Sequence, residues 1–196
     1  MNANKKMQDL LTKCHTDPVA LVDCLRKVLE QGLLRKDSCL LLRSLASLVA
    51  ANAASRFSDR TGYECFVNHI HLEDYLNGDQ CILLAQALAF GRELARVITQ
   101  DHVAEPVLYI VAANDGEINV RFHILRAGES WLADNLEGYR EAVAAFGVSE
   151  LVPRQNQILR FAKIGSRAQR IYSMLLWRRA GHSRIRGFSD RSNTGE

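Results

Sequence analysis

A chain of 196 residues with 47% apolar and 24% charged side chains has the balance of an ordinary folded domain, which excludes a wholly disordered polymer. Its formal charge of +3 hides an asymmetry: Arg154–Glu196 holds ten Lys/Arg against two acids, a formal +8, and Met1–Pro153 holds 15 basic against 20 acidic residues, a net of −5. Such opposed segments point to a charged partner.

Membrane and secretory classes receive no support. The densest apolar stretch, Cys39–Ala54, is broken by Arg43, Ser44, Ser47 and Asn52, and it is shorter than the roughly 18–20 residues a bilayer span needs. The opening MNANKKMQDLL is polar and lacks the apolar centre of a secretory signal. Five cysteines (14, 24, 39, 65 and 81) are odd in number and contain no C-x-x-C. Reduced thiols and a cytoplasmic location are therefore expected, without a transmembrane segment.

In chain order, the first third reads as helical. Lys5 to Cys14 carries Met7, Leu10, Leu11 and Cys14 at helical spacing. Asp17-Pro18 is a helix-start signal, a capping carboxylate followed by a residue with φ already fixed, and Gly32 is a natural stop. Asp37 or Ser38 can cap a third helix to about Phe57, with Leu41, Leu42, Leu45, Leu48 and Val49 inward. The period then changes: Cys65 to Leu72 alternates as a strand covered on both faces. Gly78 and Asp79 open a helix to about Gln100, with Leu84, Leu88, Gly91, Ala95 and Ile98 along one side.

A β-hairpin at about 106–126 follows. VLYIVAAN and EINVRFHIL flank Asp115-Gly116, a dipeptide that tolerates the positive φ angles of a type I′ turn. The register then pairs Val111 with Val120, Tyr109 with Phe122 and Val107 with Ile124 on the core face, and puts Asn119, Arg121 and His123 on the other. Ser130 can cap a helix from Trp131 to Phe146, with Leu132, Leu136, Tyr139, Val143 and Phe146 at 4-3-4-3 spacing. The fold class expected is α+β: a helical N-terminal third, a small mixed β-sheet with a possible parallel crossover, and further helices after the hairpin.

The domain is expected to span 1–153, with a basic amphipathic helix over 154–180 and a disordered tail over 181–196. Arg160, Lys163, Arg167, Arg170 and Arg178 fall in an arc of roughly 80° at 100° per residue. That stripe suits a nucleic-acid backbone, an anionic membrane surface or an acidic protein groove. It equally suits a solvated face beside an acidic body.

Three constellations in the body could carry function. His69 and His71 would share a strand face, with His123 beside them, as weak metal candidates. Cys65 on the same face would suggest a thiol–imidazole pair, although no motif supports it. Asp134, Glu137 and Glu141 would line one helix face as a docking surface for a basic partner. No P-loop, G-x-G-x-x-G, G-x-S-x-G or H-E-x-x-H occurs, and no cofactor is expected. The leading expectation is a macromolecule-binding protein without catalysis, an inhibitor or immunity-type partner of another protein. Nucleic-acid binding by the basic segment is the alternative, and a metal-assisted or thiol enzyme the third.

Overall fold

Asp115 and Gly116 adopt φ of 45° and 92°, the left-handed values a type I′ turn requires. They join β5 (Val107–Asn114) to β6 (Glu117–Ile124). The computed structural model describes residues 1–151, and this hairpin is the centre of its fold. Val107 pairs with Ile124, Tyr109 with Phe122 and Val111 with Val120, as the alternation predicts, and all six side chains are buried.

The sheet has the order β1-β7-β5-β6-β4, with β1 at Asn2–Ala3, β4 at Ile70–His71 and β7 at Ala142–Gly147. Every pairing is antiparallel. The fold is thus α+β, but the sheet is antiparallel rather than mixed. β4 and β5 are both antiparallel to β6 and so run parallel to each other, which makes β4–α5–β5 a crossover with β6 inserted between its two strands.

The core face of the sheet packs against α5 (Gln80–Gln100), which starts where the sequence signals it: Asp79 accepts the Cys81 and Ile82 N–H groups. Gly91 sits at the closest approach. A Cβ there would lie 2.7 Å from the Tyr109 ring, whose hydroxyl donates to the Ala87 carbonyl at 2.7 Å. α1 (Lys5–Cys14) also forms as expected, capped by the buried Asn4. The Asn4 oxygen accepts from Met7 and Val143, and its amide donates to the Leu136 and Glu141 carbonyls.

The rest of the first third departs from a purely helical reading. α2 begins at Asp23 (Asp23–Glu30) rather than at Pro18, since Gln86 holds residues 20 and 22 extended through the Ala20 carbonyl and the Val22 N–H. The third helix is replaced by a hairpin of β2 (Leu33–Lys36) and β3 (Cys39–Leu42), followed by the short α3 (Arg43–Ala46). Asp37 and Ser38, read as caps, have φ of 50° and 65° and make the turn. All four β3 residues are buried, which erases the alternation that would have marked a strand.

Two further segments exchange type. Arg60–Val67 is helix α4, capped by Asp59, and only Ile70 and His71 of the expected strand pair with β6. Residues 131–146 form a loop, a 3-10 turn at Leu136–Gly138 and most of the inner strand β7, instead of one helix. α6 (Val148–Leu151) closes the described residues. Among them no helix is long and apolar enough to cross a membrane. The cysteines are not all reduced: Cys14 and Cys81 form a disulfide between the end of α1 and the start of α5, while Cys24, Cys39 and Cys65 are thiols.

The polar residues that α4 buries, Glu64 and Asn68, fasten β3 to β6. Glu64 accepts from the Leu40 N–H at 2.6 Å, from the Ile124 N–H at 3.0 Å and from both Arg126 terminal nitrogens at 2.9 and 2.7 Å. Asn68 accepts from the Leu42 N–H and donates to the Leu40 and Phe122 carbonyls. Removing one member of a buried ion pair costs about 3–5 kcal/mol. Glu64→Ala should therefore lower unfolding free energy by about that amount in denaturant titration, and replacing an exposed acid such as Glu30 should cost within about 0.5 kcal/mol.

Candidate functional site

The outer face of the sheet carries Asn119, Arg121 and His123, as the hairpin register dictates. β4 pairs His71 with Asn119, so His69 comes level with Arg121 on the sheet edge. The Arg121 Nη2 lies 2.9 Å from Nε2 and 3.2 Å from Nδ1 of His69, and Nη1 donates to the Asn119 Oδ1 at 3.1 Å. The Arg121 guanidinium carbon sits 5.3 Å from the centre of the Trp131 ring, within cation–π range. The rings of His69 and His71 are 4.2 Å apart, and His71 Nδ1 is 3.1 Å from Glu73 Oε1. The second Glu73 oxygen accepts the Ile118 N–H at 3.3 Å.

Electrostatics follow from this placement. Burial, then the Arg121 charge and His71, push His69 from its ordinary 6.5 down to about 4, so its ring is neutral at pH 7 and can accept from Arg121. Burial also lowers the Arg121 pKa. At Glu73 burial opposes ionisation, yet hydrogen bonds from its own amide and from His71 hold the carboxyl below its ordinary value.

The three histidines do not converge. His69 and His71 are neighbours, but His123 is buried apart from solvent, with Nδ1 on the Ile124 carbonyl oxygen at 2.9 Å and Nε2 without a partner. Among the described residues no group of three or more His, Cys, Asp or Glu is placed to hold a metal. Cys65 lies on helix α4, not on a strand face with His69. Burial pushes its thiol up to about 12, and a thiol that stays protonated is a poor nucleophile.

The acidic residues also lose their helix. Asp134 is exposed in the loop and lines a cleft of ≈ 470 Å³ floored by Leu108, Leu132, Leu136 and Ala145, with Glu150 beside it. Glu137 accepts the Lys5 N–H at the start of α1. Glu141 is half-buried, just before β7. The three are not spaced along one helical face. Arg160, Lys163, Arg167, Arg170 and Arg178, with the helix expected over 154–180 and the tail over 181–196, lie outside the described residues.

Sequence reasoning put Arg121 on the outer face but did not single it out, and it took Trp131 for the first turn of a helix. The signal available was the outer-face run Asn119, Arg121, His123 opposite His69 and His71, in which the one charged group has no acid in register.

The fold defines a small α+β domain with a five-stranded antiparallel sheet. The chain belongs to the family described as Uncharacterized protein PM0498 family, whose model matches residues 2–163. No curated protein matches it, and no solved structure does.

Burial of uncharged imidazoles makes stability depend on pH. The folded pKa of both His69 and His123 lies below the ordinary 6.5. Between those values the unfolded chain binds more protons, so stability rises with pH up to about 6.5 and levels off above it. Urea midpoints should fall steadily from pH 6.5 towards pH 4, and a His69→Gln, His123→Gln double variant should show a shallower fall.

Proposed function

We propose that the protein acts without catalysis, by binding another macromolecule, and that the partner is a protein with a basic surface. An inhibitor or immunity-type role is the specific form of this reading, and a cytoplasmic location belongs to the same proposal. One observation supports it most: Asp134, Glu137 and Glu141 stand around an apolar-floored cleft or its adjoining loop with no ion-pair partner among the described residues. A carboxylate without an ion-pair partner at an apolar hollow, as at Asp134, suits a cationic side chain with an aliphatic stem.

Charge reversal tests this directly. Asp134→Lys with Glu141→Lys should abolish co-purification of the partner from the native host, while thermal unfolding shifts little because Asp134 is exposed and Glu141 only half-buried. Capture that survives the reversal would refute the acidic contact.

A second reading rests on a different observation, the run from Arg154 to Ser189 with nine basic residues and no acid. In that reading Arg160, Lys163, Arg167, Arg170 and Arg178 contact a nucleic-acid backbone. For duplex DNA the slope of log affinity against log salt changes by about 0.9 for each phosphate neutralised. Replacing those five residues with Ala in the full chain should then flatten the slope by up to about 4.5. An unchanged slope, or no binding by the unaltered chain, would remove this reading.

A further inference from the structure

Arg121 and Arg126 are both withdrawn from bulk water, but they spend their charge differently. Arg126 meets Glu64 with two nitrogens. Arg121 has no carboxylate within ion-pair distance among the described residues. A guanidinium carries five N–H donors, and the bonds to Asn119 and His69 occupy only part of that set. Nor is Nε, its one nitrogen without a partner, sealed inside. Among the described residues the one buried side-chain nitrogen or oxygen without a partner is His123 Nε2.

The surroundings leave this charge uncompensated. His69 must offer Arg121 an unprotonated ring nitrogen, and Cys65 is an uncharged thiol. Glu73 is committed to His71 and to the Ile118 N–H. Trp131, itself 39% exposed, supplies a ring face that holds the guanidinium without neutralising it. A half-buried cation costs desolvation energy that water recovers only in part.

We propose that Arg121, Asn119 and His71 form a binding site for a phosphate-type oxyanion, taken up either as the free ion or as a phosphate monoester. The guanidinium fork matches two of the oxygens in parallel. Asn119 gives its carbonyl oxygen to Arg121 and keeps its Nδ2 hydrogens to donate. His71 is steered by Glu73 through Nδ1–H, so Nε2 is its acceptor nitrogen, suited to the P–OH hydrogen of a hydrogenphosphate. A tetrahedral hydrogenphosphate or phosphate monoester presents acceptor oxygens to Arg121 and Asn119 and a P–OH to His71, whereas a carboxylate has only two oxygens and no hydrogen to give. This site is separate from the acidic rim at Asp134 and stands independently of the protein-binding reading.

The test is a titration of the full ¹⁵N-labelled chain with inorganic phosphate at pH 7, reading the arginine Nε–H and histidine ring resonances. Saturable shifts with a Kd at or below about 1 mM are expected, with competition by sulfate and none by acetate. Arg121→Gln should weaken binding at least tenfold, and His71→Gln by a smaller factor. His71 is half-exposed on the two-residue edge strand, so its variant reports on the site even where Arg121→Gln fails to fold. Absence of saturable shifts, or equal binding by the unaltered chain and His71→Gln, would overturn the proposal. A nucleoside monophosphate bound about tenfold more tightly than inorganic phosphate, ~1.4 kcal/mol, would identify an ester ligand. Equal binding would identify phosphate itself.

Discussion

Helix α4 holds this fold together by substituting side chains for a strand. β4 pairs with β6 only at Ile70 and His71, so the β6 edge beyond Arg121 would leave the Phe122 carbonyl and the Ile124 N–H without partners. β3 has the same problem along its edge away from β2. Glu64 and Asn68, four residues apart and therefore on one face of α4, reach both edges at once. An isolated carboxylate at 0% exposure would be very costly to bury. Four hydrogen bonds, two of them from Arg126, remove that penalty and fix the β2–β3 hairpin against the sheet. The second hydrophobic cluster, around Leu41, Tyr63 and Val67, is assembled on the far side of the same clasp.

What could be read in the sequence, and what could not, follows the same physics. The β5–β6 hairpin was legible to the residue because its determinants are local: a turn dipeptide and two alternating runs. α1 was legible through the helical spacing of Met7, Leu10, Leu11 and Cys14, and α5 through its Asp79 cap; the Asn4 cap was not, because its reach to β7 is long-range. α4 was hidden because it buries the polar Thr61, Glu64 and, at its end, Asn68 alongside Tyr63, Cys65 and Val67, so its inward residues show no helical hydrophobic period. β7 was hidden for the opposite reason. Lying between β1 and β5, it is apolar on both sides, and its Val143 and Phe146 completed by coincidence a helical spacing begun in a loop.

The candidate site was half-legible. Strand period alone put Asn119, Arg121 and His123 on the outer face, and the pairing of β4 then brought His69 and His71 to them. The spacing could not foretell that the edge strand would last only two residues. It therefore could not separate His123, which falls under α4 and the following loop, from the two histidines that stay at the edge. The acidic residues fared worse, because their grouping depended on a helix that does not form. What survives of that grouping is proximity in a loop, with Asp134 at a cleft and Glu137 drawn to the start of α1, where a carboxylate complements unsatisfied N–H groups.

Two arginines in one sheet region show how local rules can be obeyed and broken within the same fold. Arg126 is fully answered: each terminal nitrogen meets a carboxylate oxygen, and Nη2 also reaches the Ser38 carbonyl. Its role is explained by the assembly of β3, α4 and β6, and it calls for no ligand. Arg121, by contrast, is bordered by an amide, an imidazole held neutral, an indole and a thiol. None of these groups adds to its stability through charge, and a leucine or methionine there would pack with less desolvation cost. Consistency across levels is the ordinary condition of a folded sequence, and departures from it concentrate where function demands them. The departure at Arg121 is specific in kind: among the described residues it is a cation with donors to spare and no carboxylate in ion-pair range, which is the condition an anionic ligand would relieve.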